Sequence, residues 1–264
     1  FIPHALPTEI FYPLKEKEIK DYRTQMFGKD SDDRFVLFWA NRNARRKRPG
    51  DLLWAWSLFV ERVRLEGGKD PLLLLHTDPH DGEGPNLLAV AEHFNIIDTC
   101  YFSTSRVEFD KMNVLHNVSD ACINVSYAEG FGLATLESMQ CGNPIIAVKT
   151  GGLTRQVVDH RDGTENGIGL DVTSRTLVGS QSVPYIFEDY TSSKEIADAM
   201  YKMYAMPKEE RKALGEKARQ YVLDEFSLQR TIDLWDETLT DLVENYEKNK
   251  QSWHLTDMGD LLHK

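Results

Sequence analysis

The stretch ACINVSYAEGFGLATLESMQCGNPIIAVKT, residues 121–150, predicts a strand, a loop, a helix and a second strand in immediate succession. Its two ends, 121–126 and 144–150, are short apolar runs of the kind that form buried strands. Between them, apolar side chains recur at helical spacing after Gly130 and Gly132. A strand, a helix and a strand in this order form the βαβ unit of a parallel sheet, so the stretch favours the α/β class.

The same alternation continues on both sides of this stretch. Four further apolar runs predict strands at 34–40, 71–77, 99–104 and 167–172. Helical periodicity predicts helices at 51–67, 84–96, 106–119, 193–206, 208–226 and 227–249. Residues 173–193 are predicted to form a polar excursion between the last strand and the closing helices. We therefore expect a doubly wound parallel sheet flanked by helices, which binds its ligand at the carboxyl ends of the strands.

Two glutamates, Glu129 and Glu137, lie eight residues apart on either side of a Gly-Phe-Gly sequence. Glu137 falls among apolar helical positions, where a charge is costly without a partner. In an unbroken helix the two side chains would point about 80° apart, which disfavours a proton-sharing pair. Two separated carboxylates can instead accept hydrogen bonds from two parts of one ligand. The alternative is a solvated Glu129 and a Glu137 bonded to neighbouring backbone.

A basic run, NRNARRKRPGD at 41–51, follows the first predicted strand directly. A charge run is often no more than a solvated surface. This one stands at a strand carboxyl end, where Arg42 and Lys47 could converge on a diphosphate and form charge-assisted contacts. The remaining basic residues of the run are expected to be exposed: Arg45, Arg46 and Arg48.

Two other loops follow predicted strands. Loop 76–84 carries a group that could suggest a metal site, namely His76, Asp78 and His80. No further His or Cys cluster completes such a site, so a loop near the ligand is favoured and no metal is expected. The second loop contains Gly151 and Gly152, which predict either a tight turn or a close approach of backbone to ligand.

The composition restricts the classes of function. The formal net charge of -11 argues against a nucleic-acid binder. Three cysteines without metal-like spacing indicate reduced thiols in a reducing compartment, and no apolar run is long enough to span a bilayer. With no signal peptide recognisable, we expect a cytoplasmic location. Because the chain begins without Met, we also expect a processed product or an excised piece of a longer protein.

Taken together, the motifs resemble the C-terminal, nucleotide-sugar-binding domain of the retaining glycosyltransferases with the GT-B fold, called glycosyl transferases group 1. EGFGLATLE matches the family's Glu-x7-Glu motif, CGNPIIAVKTGG the strand and double glycine after it, and NRNARRK the Arg and Lys five residues apart. FIPHALPTEIFYP and FSLQRTIDLWDETL resemble the family's opening and closing segments. The chain departs from the family pattern by carrying Asn41 and Arg48 where glycines are usual.

The resemblance implies one half of a GT-B fold: a single Rossmann-like C-terminal donor-binding domain over 1–264. Within it we expect an entry segment at 1–33, a core at 34–190 and closing helices at 191–264. The family's N-terminal acceptor domain would lie outside this chain. Peripheral membrane association, if any, would pass through that half.

The resemblance also implies an activity, which is transfer of a sugar from a GDP-sugar or UDP-sugar to a glycan, lipid or protein with retention of configuration. No cofactor and no essential metal are expected. In this scheme Arg42 and Lys47 stabilise the diphosphate, Glu129 holds the sugar and Glu137 the ribose diol. The other implied donor-binding residues are Asn41, Phe102, Ser103, Thr104, Gly130, Phe131, Gly132 and Leu133.

Three other functions compete with this one. A nucleotide-sugar-binding module without activity would use the same residues, because half of the cleft would be missing. A sugar-nucleotide epimerase of related fold would also need a carboxylate-rich cleft. A nicotinamide-dependent oxidoreductase is disfavoured, because a basic run and not Gly-x-Gly-x-x-Gly follows the first strand.

Overall fold

A computed structural model describes residues 1–250 and contains one six-stranded parallel sheet. Its strands are β1 Val36–Ala40, β2 Leu72–His76, β3 Cys100–Ser103, β4 Ala121–Asn124, β5 Ile145–Val148 and β6 Gly167–Leu170. Their order in the sheet is β3-β2-β1-β4-β5-β6, and every neighbouring pair is parallel. The order reverses between β1 and β4, and this is the point at which an open α/β sheet forms its ligand crevice. The predicted α/β Rossmann-like class is confirmed.

Helices cover both faces of the sheet. They are α1 Glu16–Phe27, α2 Pro49–Leu65, α3 Leu87–His93, α4 Met112–Asn117, α5 Leu133–Gln140, α6 Gly151–Val157, α7 Ser193–Ala205, α8 Lys208–Glu225, α9 Leu228–Glu244 and α10 Tyr246–Asn249. Alternate residues of β1 enter two separate apolar clusters. Leu37 and Trp39 pack with α2 and α7, whereas Val36 and Phe38 pack with α5 and α8.

Three parts of the chain differ from the sequence-based prediction. Helix α1 was not predicted, because it buries only Arg23 and therefore carries no apolar stripe. The predicted helix 106–119 is shorter, with a 3-10 turn at Phe109–Lys111 leading into α4. The polar excursion at 173–193 contains an antiparallel hairpin of β7 Ser174–Val178 and β8 Ile186–Tyr190. The last part of the predicted closing segment, 251–264, lies outside the described residues.

The closing helices are not all part of the core. Helix α9 is strongly amphipathic, yet none of its residues is buried. Its apolar side chains lie on an uncovered face, and Trp235 is 52% exposed. Among residues 1–250, no helix is both long enough and apolar enough to cross a bilayer.

Candidate functional site

A cavity of about 320 Å³ lies at the carboxyl ends of β1 and β4. It is lined by His4, Asn41, Lys47, Asn124, Glu129, Phe131, Gly132, Leu133 and Ala134. Two larger cavities, of about 450 and 420 Å³, lie at the opposite edge of the sheet, among residues that precede β1, β4 and β5. We assign the site to the smaller cavity, because a doubly wound sheet binds ligands at its carboxyl edge.

Lys47 and Glu129 form an ion pair in the wall of this cavity. Their side chains are only 9% and 11% exposed, so both charged groups have lost most of their water. Burial lowers the pKa of Lys47 below its ordinary value, and the hydrogen bond and charge of Glu129 oppose only part of that shift. The site therefore contains a buried cation, whose pKa is lowered, paired with a buried carboxylate.

The loop that carries Glu129 is shaped by the double glycine at the start of α6. The Gly152 amide donates to the Glu129 carbonyl at 3.0 Å. A Cβ on Gly152 would lie 2.5 Å from the Cα of Phe131, closer than real side chains approach backbone. The sequence left open a tight turn or an approach of backbone to ligand at Gly151 and Gly152. The structure shows these glycines at the start of α6, packed against the protein's own backbone.

Helix α5 begins only after the glycines. Gly132 immediately precedes the first residue of α5 and has a φ of 93°, which residues other than glycine rarely adopt. Glu129 thus lies in the loop, and the 80° relation expected for an unbroken helix does not apply. The amino end of α5, at Gly132, Leu133 and Ala134, faces the cavity and presents amides that have no partner within the helix.

Glu137 has a protein partner, and that partner is a histidine side chain, not the neighbouring backbone that the sequence left open as an alternative. Its Oε2 lies 3.0 Å from Nε2 of the fully buried His116. Glu137 is not among the residues that line the cavity, although it lies one helical turn beyond Leu133. Glu137 therefore does not line this cavity, although 12% of its side-chain surface remains exposed.

The basic run 41–51 does not converge as a unit. Arg42 turns to the surface, where its Nε donates to Asp81 at 2.6 Å and its Nη1 lies 3.0 Å from Glu83. Its side chain is 61% exposed and does not line the cavity. Lys47 alone among the basic residues of the run reaches the cavity wall. Loop 76–84 thus supplies acidic partners for Arg42.

Arg48 was expected to be exposed, and that expectation is wrong. Its side chain is 4% exposed, with Nε 2.9 Å from Asp51 and Nη2 donating to the Thr191 carbonyl at 2.9 Å. The guanidinium lies 4.7 Å from the centre of the Tyr127 ring. Arg48 therefore connects the start of α2 with the loop before Glu129 and the segment before α7. The other two arginines are exposed as predicted: Arg45 and Arg46.

The predicted base-binding segment lies at the end of β3, away from this cavity. Ser103 Oγ lies 3.0 Å from Nδ1 of His76, and neither Phe102 nor Thr104 lines the cavity. Burial lowers the pKa of His76, which favours the neutral imidazole. Among residues 1–250, no group of three or more His, Cys, Asp or Glu side chains is arranged to hold a metal ion.

Three residues that line the cavity were missed in the sequence: His4, Asn124 and Ala134. Asn124 ends β4, and its Oδ1 accepts hydrogen bonds from the amide and hydroxyl of Ser126, while its buried Nδ2 has no partner within residues 1–250. A polar residue at the carboxyl end of an apolar strand could have indicated that Asn124 belongs to the site. His4 packs edge-on against Phe131 with ring centres 4.9 Å apart. Nothing local in the sequence indicates that contact, because it joins distant segments.

Comparison with known proteins identifies the family. The profile of the family described as "Glycosyl transferases group 1" matches residues 21–221. The chain therefore belongs to the glycosyl transferases group 1 family, and its fold corresponds to the C-terminal domain of the GT-B enzymes in that family. The predicted family resemblance is confirmed.

Similar curated proteins are about twice as long as this chain or longer. N-acetyl-alpha-D-glucosaminyl L-malate synthase of Bacillus anthracis is 24% identical over 223 residues, which cover 83% of this chain and 49% of that protein. D-inositol 3-phosphate glycosyltransferase of Saccharomonospora viridis is 30% identical over 205 residues, covering 76% of this chain and 41% of that protein. The chain spans less than half the length of both.

Solved structures share the fold at low sequence identity. Sucrose-phosphate synthase from Thermosynechococcus elongatus superposes with a TM-score of 0.68 at 22% identity, over 92% of this chain and 52% of that one. Anabaena HepE in complex with UDP and glucose gives 0.68 at 17%, over 90% and 56%. The C-terminal domain of a glycosyl transferase group 1 family protein from Francisella tularensis gives 0.62 at 18%, over 85% and 100%.

Proposed function

We propose that this chain binds a nucleoside-diphosphate sugar, with UDP or GDP as its nucleotide, and is the donor-binding half of a retaining glycosyltransferase. The observation that carries the proposal is the Lys47–Glu129 pair in the wall of the carboxyl-edge cavity, beside the amino end of α5. A cation and a helix amino end both favour phosphate oxygens. The complex of Anabaena HepE with UDP and glucose supports the same ligand class.

In this proposal the donor replaces Glu129 as the partner of Lys47. The ammonium group then stabilises the negative charge that grows on the diphosphate as the bond between sugar and diphosphate breaks. Electrostatic stabilisation of this kind is usually the largest single contribution that a protein makes to catalysis. The released Glu129 carboxylate accepts hydrogen bonds from hydroxyls of the sugar. The backbone amides of Gly130, Phe131 and Gly132 hold the hydroxyls of the sugar together with Glu129, as the family resemblance implies.

Other proposed contacts surround this centre. Glu137 accepts from the ribose diol, and the base rests against residues 102–104. Arg42 joins the diphosphate only after exchanging Asp81 and Glu83 for phosphate oxygens. Asn41 and Leu133 line the same cavity and complete the donor site.

The acceptor side of the reaction would come from an N-terminal domain outside this chain. That domain would bind a glycan, lipid or protein acceptor and close the cleft over the donor. We accordingly propose that the chain alone binds donor but transfers sugar weakly or not at all. Retention would follow from same-face attack by the acceptor, with Glu129 positioning the sugar and no metal ion taking part.

Ligand binding tests the proposal directly. A nucleotide at a hundred times its Kd stabilises a protein by about 2.7 kcal/mol, which raises the Tm of a domain of this size by about 5 °C or more. We expect UDP or GDP and its sugars to produce such a shift. Glu129→Gln removes the carboxylate that competes for Lys47, so the free nucleotide should bind at least as tightly as in the unmutated chain, while the extra affinity that the sugar contributes should fall. The exposed control Lys194→Gln should change neither affinity.

Two outcomes would count against the proposal. The absence of any shift with both nucleotides and their sugars would exclude a donor site on this chain. Conversion of a UDP-sugar by this chain without an acceptor would favour the epimerase instead. The third candidate, a catalytically silent binding module, is tested on a longer protein that includes the N-terminal half. If the chain is such a module, that longer protein would bind donor but transfer no sugar.

A further inference from the structure

A fully buried histidine contacts Glu137, the second of the two glutamates on either side of the Gly-Phe-Gly sequence. His116 in α4 has no exposed side-chain surface, and its Nε2 lies 3.0 Å from Oε2 of Glu137 in α5. A carboxylate oxygen accepts, so Nε2 is the donor in this pair. The contact joins the two helices directly behind the proposed donor site.

The imidazole of His116 is held in one orientation. The rings of Phe11 and Phe38 meet it edge-on, with centres 5.7 and 4.9 Å away. The amide Nδ2 of Asn143 donates to the backbone carbonyl of His116 at 2.6 Å and fixes this end of α4. Nδ1 is buried and has no hydrogen-bond partner within residues 1–250. The ring therefore has one directed polar contact, which is to Glu137.

Glu137 is fixed through only one of its oxygens. Within residues 1–250, the bond from His116 is the only hydrogen bond to its side chain, which is 12% exposed. Leu133 lines the cavity and lies four residues earlier, on the same face of α5. Oε1 is consequently left to accept a hydrogen bond from another group at this face.

We infer that His116 is a positioning residue: its Nε2–H holds Oε2 of Glu137 and thereby orients Oε1 toward the ribose hydroxyls of the donor. This inference rests on the proposed function, which assigns Glu137 to the ribose diol. A carboxylate already held in its binding orientation loses less conformational freedom when the ligand arrives, and this raises affinity. Without the histidine, Glu137 would be free to adopt other rotamers.

The experiment compares ribose-dependent binding within each variant. Calorimetry on the 264-residue chain measures affinity for UDP and for 2′,3′-dideoxy-UDP, and likewise for GDP and 2′,3′-dideoxy-GDP. We expect the unmutated chain to bind the ribonucleotide roughly tenfold or more tightly than the dideoxynucleotide. Hydrogen bonds to charged groups contribute more free energy than hydrogen bonds between neutral groups. His116→Phe keeps an aromatic ring and removes the donor, so the ratio should fall toward one. His116→Gln keeps an N–H donor and should retain more of the ratio.

Controls separate this inference from the proposed function. The exposed His93→Phe should leave the ratio unchanged, and circular dichroism confirms that each variant is folded. Suppose that Glu137→Gln lowers the ratio of ribonucleotide to dideoxynucleotide affinity. The inference would then be overturned if His116→Phe and His116→Gln gave equal ratios, or if both kept the ratio of the unmutated chain. A parent-like ratio in Glu137→Gln would instead overturn the ribose assignment on which the inference rests.

Discussion

Lys47 and Glu129 are the two residues whose chemistry the site depends on most. Each side chain is about nine-tenths buried, and each is paired with the other. A buried ion pair adds little stability, because the cost of removing two charges from water offsets most of their attraction. Such a pair suits a site in which a ligand takes over one partner, because the other partner is then released for a second contact.

The lowered pKa of Lys47 predicts how binding depends on pH. Affinity for UDP or GDP should fall as pH rises through the Lys47 pKa, which lies below the ordinary value of 10.5. Lys47→Arg keeps its charge at every accessible pH, so its affinity should decline less than that of the unmutated chain over the same range. Calorimetric titrations between about pH 7.5 and 10 measure both. The same alkaline decline in the Arg variant would rule out Lys47 as the titrating group.

The stability of the ligand-free protein should depend on pH with the opposite sign to its affinity for nucleotide. A lowered pKa means that the folded chain binds fewer protons at Lys47 than the unfolded chain does, between the folded pKa and 10.5. The contribution of this residue to the free energy of unfolding therefore rises with pH across that window.

Arg42 is held away from the cavity by acids, which makes its role testable. Asp81→Asn removes the closer acid and frees the guanidinium. If Arg42 serves the diphosphate, this variant should bind UDP or GDP a few-fold more tightly, because less pairing must be broken. Adding Arg42→Ala to Asp81→Asn should cancel the gain, as calorimetry of the two variants would show. A gain that persists without Arg42 would place the effect elsewhere.

At the scale of elements, the loop before α5 and the start of α6 form one packed unit. Gly152 fits beneath Gly130 and Phe131, so the position of Glu129 depends on a residue from a different βα loop. The hairpin is attached to the same region. The Asp189 amide donates to the Tyr127 carbonyl at 2.8 Å, and Thr150 Oγ1 donates to the Asp189 carboxylate at 2.7 Å.

Gly152→Ala tests that packing. The added methyl would meet backbone atoms at 2.5–2.8 Å, and backbone cannot move aside as a flexible side chain can. We expect a loss of about 1–3 kcal/mol in unfolding free energy by urea titration, together with weaker binding of the nucleotide sugar. Gly82→Ala is the matched control, because a Cβ there meets nothing within 4 Å. Parent-like stability and binding in Gly152→Ala would contradict the packing argument.

The predictability of the elements follows from how much each one buries. The six sheet strands were predictable because they carry short apolar runs. Helix α1 was not predictable because it is mostly exposed. The β7–β8 hairpin was not predictable because its apolar residues, such as Phe187 at 56% exposure, are not covered. Lys47 was predictable from its place after a strand. The pairing of Lys47 with Glu129 and that of Glu137 with His116 were not predictable. Each contact joins segments that are far apart in sequence.

At the scale of the whole molecule, an acidic protein concentrates five basic residues beside one edge of its sheet. The formal net charge is -11, yet the run 41–51 lies at the carboxyl end of β1. Every basic residue in the run has an acidic partner within 4.0 Å. In the proposed function, a diphosphate would have to compete with these carboxylates. Lys47 is the only one of the five basic residues that lines the cavity.

The central claim is that Lys47 in this cavity binds the diphosphate of the donor. The measurement that tests it most directly is the calorimetric affinity difference between UDP and uridine, or between GDP and guanosine, in the parent and in Lys47→Met. The account predicts that the diphosphate adds at least about tenfold in the parent and that most of this gain is lost in Lys47→Met, but not in the exposed control Lys194→Met. An undiminished diphosphate gain in Lys47→Met would contradict the account.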